Sequence, residues 1–113
     1  MSKYGNKSVF YDGYYFDSKK EAKRYTQLKL LERAGKIERL ALQPEFELIP
    51  AFEKNGKKYR KRIYKADFSY FDVEQGKNVI EDVKGFKTDF YRLKKTLFEY
   101  KYPDLEIVEV TEV

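Results

Sequence analysis

The sequence predicts a single α/β domain: a mixed β-sheet flanked by helices, with elements in the order α-β-β-β-α-β. Three observations predict it. Two segments repeat apolar residues at helical spacing, four read as strands, and polar turn residues separate them. The length of 113 residues suits one domain, and a 42% apolar fraction suffices for one continuous core.

Residues 1–17 are polar and Tyr-rich, and are expected to form an N-terminal hairpin or arm ahead of a core over 18–110. Asp12-Gly13 favours a tight two-residue turn. Residues 18–34 predict a helix, with Ala22, Tyr25, Leu28, Leu31 and Ala34 along one side and Leu30 widening the stripe. Ser18 and Glu21 have capping-box spacing, and Gly35 is the expected stop. Residues 37–50 predict a strand interrupted by Pro44, hence at an edge or bulged. Residues 57–73 predict a second strand in which Tyr64, Ala66, Phe68 and Tyr70 share one face and Asp67 takes the other. After the polar turn at 74–77, residues 78–85 predict its antiparallel partner. Residues 87–101 predict a helix capped by Thr88, with Phe90, Leu93, Leu97 and Tyr100 as its apolar stripe. Residues 105–110 predict a last strand, joining the sheet in parallel because it follows a helix.

The chain has no Cys and no His, which removes thiolate zinc sites, Ser-His-Asp triads and every histidine base. Catalysis is left to carboxylates, Lys, Arg, Tyr or Ser, and clustered carboxylates suit hard cations such as Mg²⁺ or Mn²⁺. No apolar run reaches the ~18 residues of a membrane span, and the start lacks a signal-peptide centre. The expectation is a soluble cytoplasmic protein with no membrane partner.

Net charge is +5, and its clustering says more than its size. Between Lys54 and Lys65 the chain carries seven basic residues and no acid. Read as a nucleic-acid surface, Lys58, Arg60, Lys61 and Arg62 neutralise phosphates and the nearby tyrosines stack on bases. Read blandly, the run is a solvated hairpin tip.

The chemistry concentrates around 67–84. Strand alternation puts Asp82 and Lys84 on one face of the third strand and Glu81 on the other, although a bulge would exchange the two acids. Asp67 on the partner strand can meet Asp82 across the pair. Two close carboxylates repel unless a cation lies between them. A bound divalent ion polarises a phosphodiester, and an adjacent lysine orients water or offsets charge.

Asp67, fourteen intervening residues and then Asp82-Val83-Lys84 resemble the signature of the PD-(D/E)XK nuclease superfamily. The element order is similar to that superfamily's restriction-endonuclease-like core. FDSKKEAKRYTQLKLLERAGKI, LQPEFEL and DVKGFKTDFYRLKK further resemble small phage-encoded members that look like Holliday-junction resolvases. The resemblance covers roughly residues 3–110, and Ala66 stands where the motif's name has Pro. It implies a Mg²⁺- or Mn²⁺-dependent endonuclease acting on DNA, with four-way junctions as substrate. Asp67, Asp82 and the Val83 carbonyl become metal ligands, and Lys84 positions the water. Glu21 matches a helix-borne acid of resolvase-like members, while its capping-box position also explains it without any metal. Gln43, before Pro44, and Lys87, at the second helix start, are further candidates to touch DNA. Two symmetric cuts in a junction imply a homodimer, with the Tyr-rich N-terminal segment as its interface.

Overall fold

The computed structural model describes residues 8–84 and 87–113. The first seven residues of the expected N-terminal arm, and Gly85 at the expected end of the third strand, lie outside them. Strands β1 (Val9–Tyr11) and β2 (Tyr14–Phe16) form the hairpin at Asp12-Gly13. Asp12 and Gly13 both have positive φ, 52° and 83°, the left-handed pair that matches strand twist. The Asp12 carboxylate accepts from the Tyr25 hydroxyl, tying the hairpin to the first helix.

Helix α1 (Lys19–Arg33) begins where Ser18 Oγ accepts the Glu21 N–H at 3.1 Å. It ends in a Schellman pair: Lys36 N–H reaches Leu31 O at 2.9 Å and Gly35 N–H reaches Glu32 O at 3.0 Å. Gly35 takes the φ of 76° this requires. Ala22, Tyr25 and Leu28 are buried, with Phe16, Ile37 and Phe68. Leu30 and Leu31 are instead 57% and 37% exposed, and the buried side of α1 is Ala22, Tyr25 and Leu28.

The segment expected as a strand over 37–50 breaks into two, that over 57–73 into three, and a further short strand lies between them at 52–54. β3 (Ile37–Leu42), β4 (Glu45–Ile49) and β5 (Phe52–Lys54) run out; β6 (Lys57–Tyr59), β7 (Arg62–Lys65) and β8 (Phe68–Asp72) return. β5 and β6 close on Asn55-Gly56, again with both φ positive. The result is one antiparallel ribbon in three pieces: β3–β8 at its base, then β4–β7, then β5–β6. Pro44 has no N–H to give, but its carbonyl accepts from Ala66 at 3.0 Å, so pairing continues through the break.

Only the base of the ribbon enters the main sheet. β9 (Lys77–Val83) pairs antiparallel with β8, and β10 (Ile107–Val110) pairs parallel with β9. The strand order is β10-β9-β8-β3, a mixed sheet, with α1 on one face and helix α2 (Asp89–Lys101) on the other. The fold class is therefore the expected mixed α/β, although the element list is longer than α-β-β-β-α-β.

Two expected faces are corrected. Tyr64 and Ala66 pack with α2, whereas Phe68 and Tyr70 pack with α1. Ala66 and Asp67 lie between β7 and β8, and this irregular step reverses the alternation. On α2 the buried residues are Tyr91 and Phe98, two turns apart. Phe90, Leu93 and Tyr100 are 66%, 56% and 88% exposed. Tyrosine has an apolar body and a polar tip, so Tyr91 carries little weight in a hydrophobic count while filling a core position. No helix among the described residues is long and apolar enough to cross a membrane.

Candidate functional site

Strand alternation on β9 sets the site. Asp82 and Lys84 face α2, and Lys84 Nζ lies 2.9 Å from Asp82 Oδ1. The second Asp82 oxygen accepts from the buried Tyr64 hydroxyl. The Lys84 ammonium also sits 3.9 Å from the Tyr91 ring centroid, a cation–π contact that holds its position. Glu81 points to the opposite face. There Arg24 of α1 grips both its oxygens, at 2.8 and 2.6 Å, and the Tyr70 hydroxyl donates to it as well. Of the two neighbouring acids, Glu81 is committed to joining α1 to the sheet, and Asp82 stands beside the lysine.

Asp67 occupies the fork where the ribbon leaves the sheet. Its N–H reaches Glu81 O of β9 at 3.0 Å, and its carbonyl accepts from Gln43 N–H at 2.9 Å. The backbone is thus held from both neighbours. Its carboxylate turns to the end of β9 and accepts the Val83 N–H at 2.6 Å. In an extended strand one residue's N–H and C=O point to the same side, so the Val83 carbonyl is directed toward Asp67 too.

Glu21 comes from the first turn of α1. Its N–H serves the Ser18 cap, while its carboxyl is buried, 5% exposed, against Asp67. Burial, and then the charges of Asp67, Asp17 and Asp82, push it up to about 8. Asp67 is pushed up to about 7, by burial first and Asp82 second, with the Val83 N–H and Lys84 opposing. Two carboxyls that resist ionisation beside a third mark a place where positive charge is short.

The donor set is all hard oxygen, which fits a divalent cation such as Mg²⁺ or Mn²⁺. As placed, no three acidic side chains among the described residues stand at ion-coordinating spacing. Lys84 and Tyr64 hold Asp82, and Val83 holds Asp67. Each carboxylate oxygen retains a second lone pair, so these bonds do not exhaust the donors.

Glu109 on β10 is paired in register with Asp82 and shares its face. Lys87 at 2.8 Å, the Tyr91 hydroxyl at 2.8 Å and Lys95 at 3.4 Å surround it. Lys87 first, then Tyr91, hold its carboxyl down at about 2. Lys87, expected to meet a phosphate, is here the partner of Glu109. Lys95 is half-buried against the same acid. Gln43 meets the site through its backbone, and its side chain reaches back to Tyr15 O at 3.4 Å. Lys20 donates to the Lys84 carbonyl at 3.0 Å. A separate groove of about 260 Å³, with Arg39, Phe46, Phe71 and Asn78 among its walls, lies further down the sheet and has no acidic lining.

Lys58, Arg60, Lys61 and Arg62 lie on the ribbon and are exposed. Arg62 is five residues from Asp67, about 16 Å along an extended strand. The ribbon therefore carries its cations outward from the carboxylates.

Residues 1–112 match the model of a family described as protein of unknown function (DUF1064). The chain belongs to the DUF1064 family. No curated protein and no solved structure matches it. Within this DUF1064 domain, Tyr64, Tyr91 and Glu109 were not singled out by sequence reasoning. Glu109 had a signal: in LEIVEV it falls on the inward face with Ile107. Tyr64 and Tyr91 had none, since their hydroxyls meet acids 18 residues away.

Proposed function

We propose that the chain is a metal-dependent DNA endonuclease of the PD-(D/E)XK kind, selective for branched DNA such as four-way junctions. The observation that carries this reading is the gathering of Glu21 of α1, Asp67 of the β7–β8 step and Asp82 of β9 around the strand end that bears Lys84. A fold has no packing reason to bring three acids together with Glu21 and Asp82 buried and Asp67 half-buried. Phosphodiester hydrolysis supplies one.

Asp67, Asp82, Glu21 and the Val83 carbonyl are the residues that hold Mg²⁺ or Mn²⁺. When bound, such an ion polarises the scissile phosphate and acidifies the attacking water. Lys84 is steered by the Tyr91 ring and Asp82 to orient that water and to offset developing negative charge. Tyr64 fixes the Asp82 carboxylate as a positioning residue. The ribbon cations Lys58, Arg60, Lys61 and Arg62 meet DNA phosphates. The protein acts as a homodimer, whose two sites match a two-fold junction, in phage recombination, replication or packaging within the host cytoplasm.

The test is cleavage of a labelled four-way junction beside linear duplex and single strand, in Mg²⁺, Mn²⁺ or EDTA. Paired, ion-dependent cuts in the junction, lost in Lys84→Ala, are expected. Equal cutting of all three substrates keeps the nuclease and discards the selectivity. Binding without cleavage in any ion makes the chain a DNA-binding module on a nuclease scaffold. A monomer on DNA by light scattering removes the dimer.

A further inference from the structure

The outer end of the ribbon has two different faces. Alternation puts Phe52, Lys54, Lys57 and Tyr59 on one, because Phe52 pairs with Tyr59 and Lys54 with Lys57. Glu53 and Lys58 face the other way and lie opposite each other. Lys58, which the sequence grouped with the other phosphate-binding cations, is thus set beside an acid.

On the first face the Phe52 and Tyr59 rings stack with centroids 4.7 Å apart and planes 7° from parallel. The Lys57 ammonium stands 5.1 Å from the Tyr59 centroid. Phe52 is 47% exposed, and among the described residues Tyr59 is its ring partner. One exposed phenylalanine needs no account. A two-ring stack on a protruding hairpin, with Lys54 and Lys57 on its face and Arg60 and Lys61 just behind, is a composite surface. Docking it on an apolar protein face buries several cations that have no ion-pair partner among the described residues, which is costly. A nucleic-acid strand satisfies both parts at once: bases have π-faces and the phosphates take the cations. Paired bases in duplex DNA offer no free face, so the fitting ligand is an unpaired stretch.

We propose that the ribbon tip is a binding site for unpaired DNA, in which a base stacks on the open face of Phe52 and extends the Phe52–Tyr59 stack. Lys54 and Lys57 hold the flanking phosphates. The site rests on the nucleic-acid part of the proposed function and is independent of hydrolysis. It gives the domain a sensor for unpaired segments, about eight strand residues beyond Asp67.

The chain has no Trp, so Phe52→Trp places a single indole reporter in the stack. The full chain in EDTA is titrated with a short single-stranded thymidine oligonucleotide and with a blunt duplex. Anisotropy of the labelled DNA is followed in parallel. Saturable quenching by the single strand but not the duplex is expected. Phe52→Ala, with an unchanged Tm, is expected to weaken single-strand binding at least about fivefold and leave duplex binding as it was. Single-strand binding without quenching, and unaffected by Phe52→Ala, overturns the stacking site and leaves the nucleic-acid reading standing. Failure to bind either DNA overturns both. Indole emission that changes with protein concentration alone assigns the tip to a second copy and overturns the proposal.

Discussion

Lys84, Asp82, Asp67 and Glu21 show how one residue acquires a role from its neighbours. Glu21 is the clearest case, because its backbone N–H and its carboxyl do separate work. The N–H completes the helix cap, and the carboxyl lies buried among acids. Glu21→Gln keeps the first and neutralises the second. It is expected to abolish cleavage with an intact or raised Tm in EDTA; normal cleavage with about 1 kcal/mol less stability makes Glu21 a cap only. The pH dependence has a definite sign. A carboxyl whose folded pKa lies above its ordinary value of 4.5 stabilises the fold below that value, and the benefit is lost as pH rises through the folded pKa. In EDTA, Tm is therefore expected to fall between about pH 4.5 and 8, following Glu21 and Asp67. Glu109 acts in reverse, stabilising above 4.5 and losing that contribution as pH falls toward about 2. A thermal melt series settles it, and a flat profile through neutral pH removes the repulsion argument. Asp82→Asn is expected to end cleavage while leaving the metal-free Tm unchanged or raised; a variant unfolded at room temperature makes Asp82 a structural residue.

At the scale of the element, two tests separate what local pattern and tertiary contact each contribute. α1 starts at Ser18 and stops at Gly35 for reasons contained in a few adjacent residues. Ser18→Ala is expected to cost about 1 kcal/mol by denaturant unfolding. α2 is different. It carries apolar residues on more than one side, and packing on the sheet buries Tyr91 and Phe98 while leaving Phe90 and Leu93 exposed. Phe98→Ala is expected to cost about 3–5 kcal/mol, a large share of the stability of a small domain. Tyr100→Ala is expected to stay within about 0.5 kcal/mol. Equal effects from the two would put α2 in the wrong rotation. The ribbon also belongs to this scale. Asn55-Gly56 is a strong hairpin signal, and β5 and β6 close there as its local chemistry demands.

For the whole molecule, the arrangement is polarised. Carboxylates gather at the end of β9, and cations extend along a ribbon that helps stretch the described residues to 53 × 37 × 24 Å. A divalent ion that binds only the folded state stabilises it by mass action, about 2.7 kcal/mol at a hundredfold excess over Kd. Mg²⁺ or Mn²⁺ is thus expected to raise Tm at pH 8, and Asp67→Asn to remove the rise. DNA affinity is expected to fall steeply with salt, and Lys61→Ala to reduce the log–log slope by about 0.9 for duplex. A slope near zero in the intact chain would leave the ribbon as a solvated tip.

Read alone, the sequence determined the mixed α/β class, the hairpin at Asp12-Gly13, the limits of α1 and the shared face of Asp82 and Lys84. All of these depend on hydrogen bonds or alternation within a few residues, which a sequence displays directly. Only the tertiary structure decided the rest. It reversed the alternation between Ala66 and Phe68, set Asp67 at the fork, turned α2 onto Tyr91 and Phe98, and brought Tyr64 and Glu109 to the site. Those outcomes depend on partners far apart in the chain: Asp67 needs Gln43 on one side and β9 on the other, and Glu81 is diverted from the site by Arg24, 57 positions away. Local period specifies which faces exist, and long-range packing selects which of them meet.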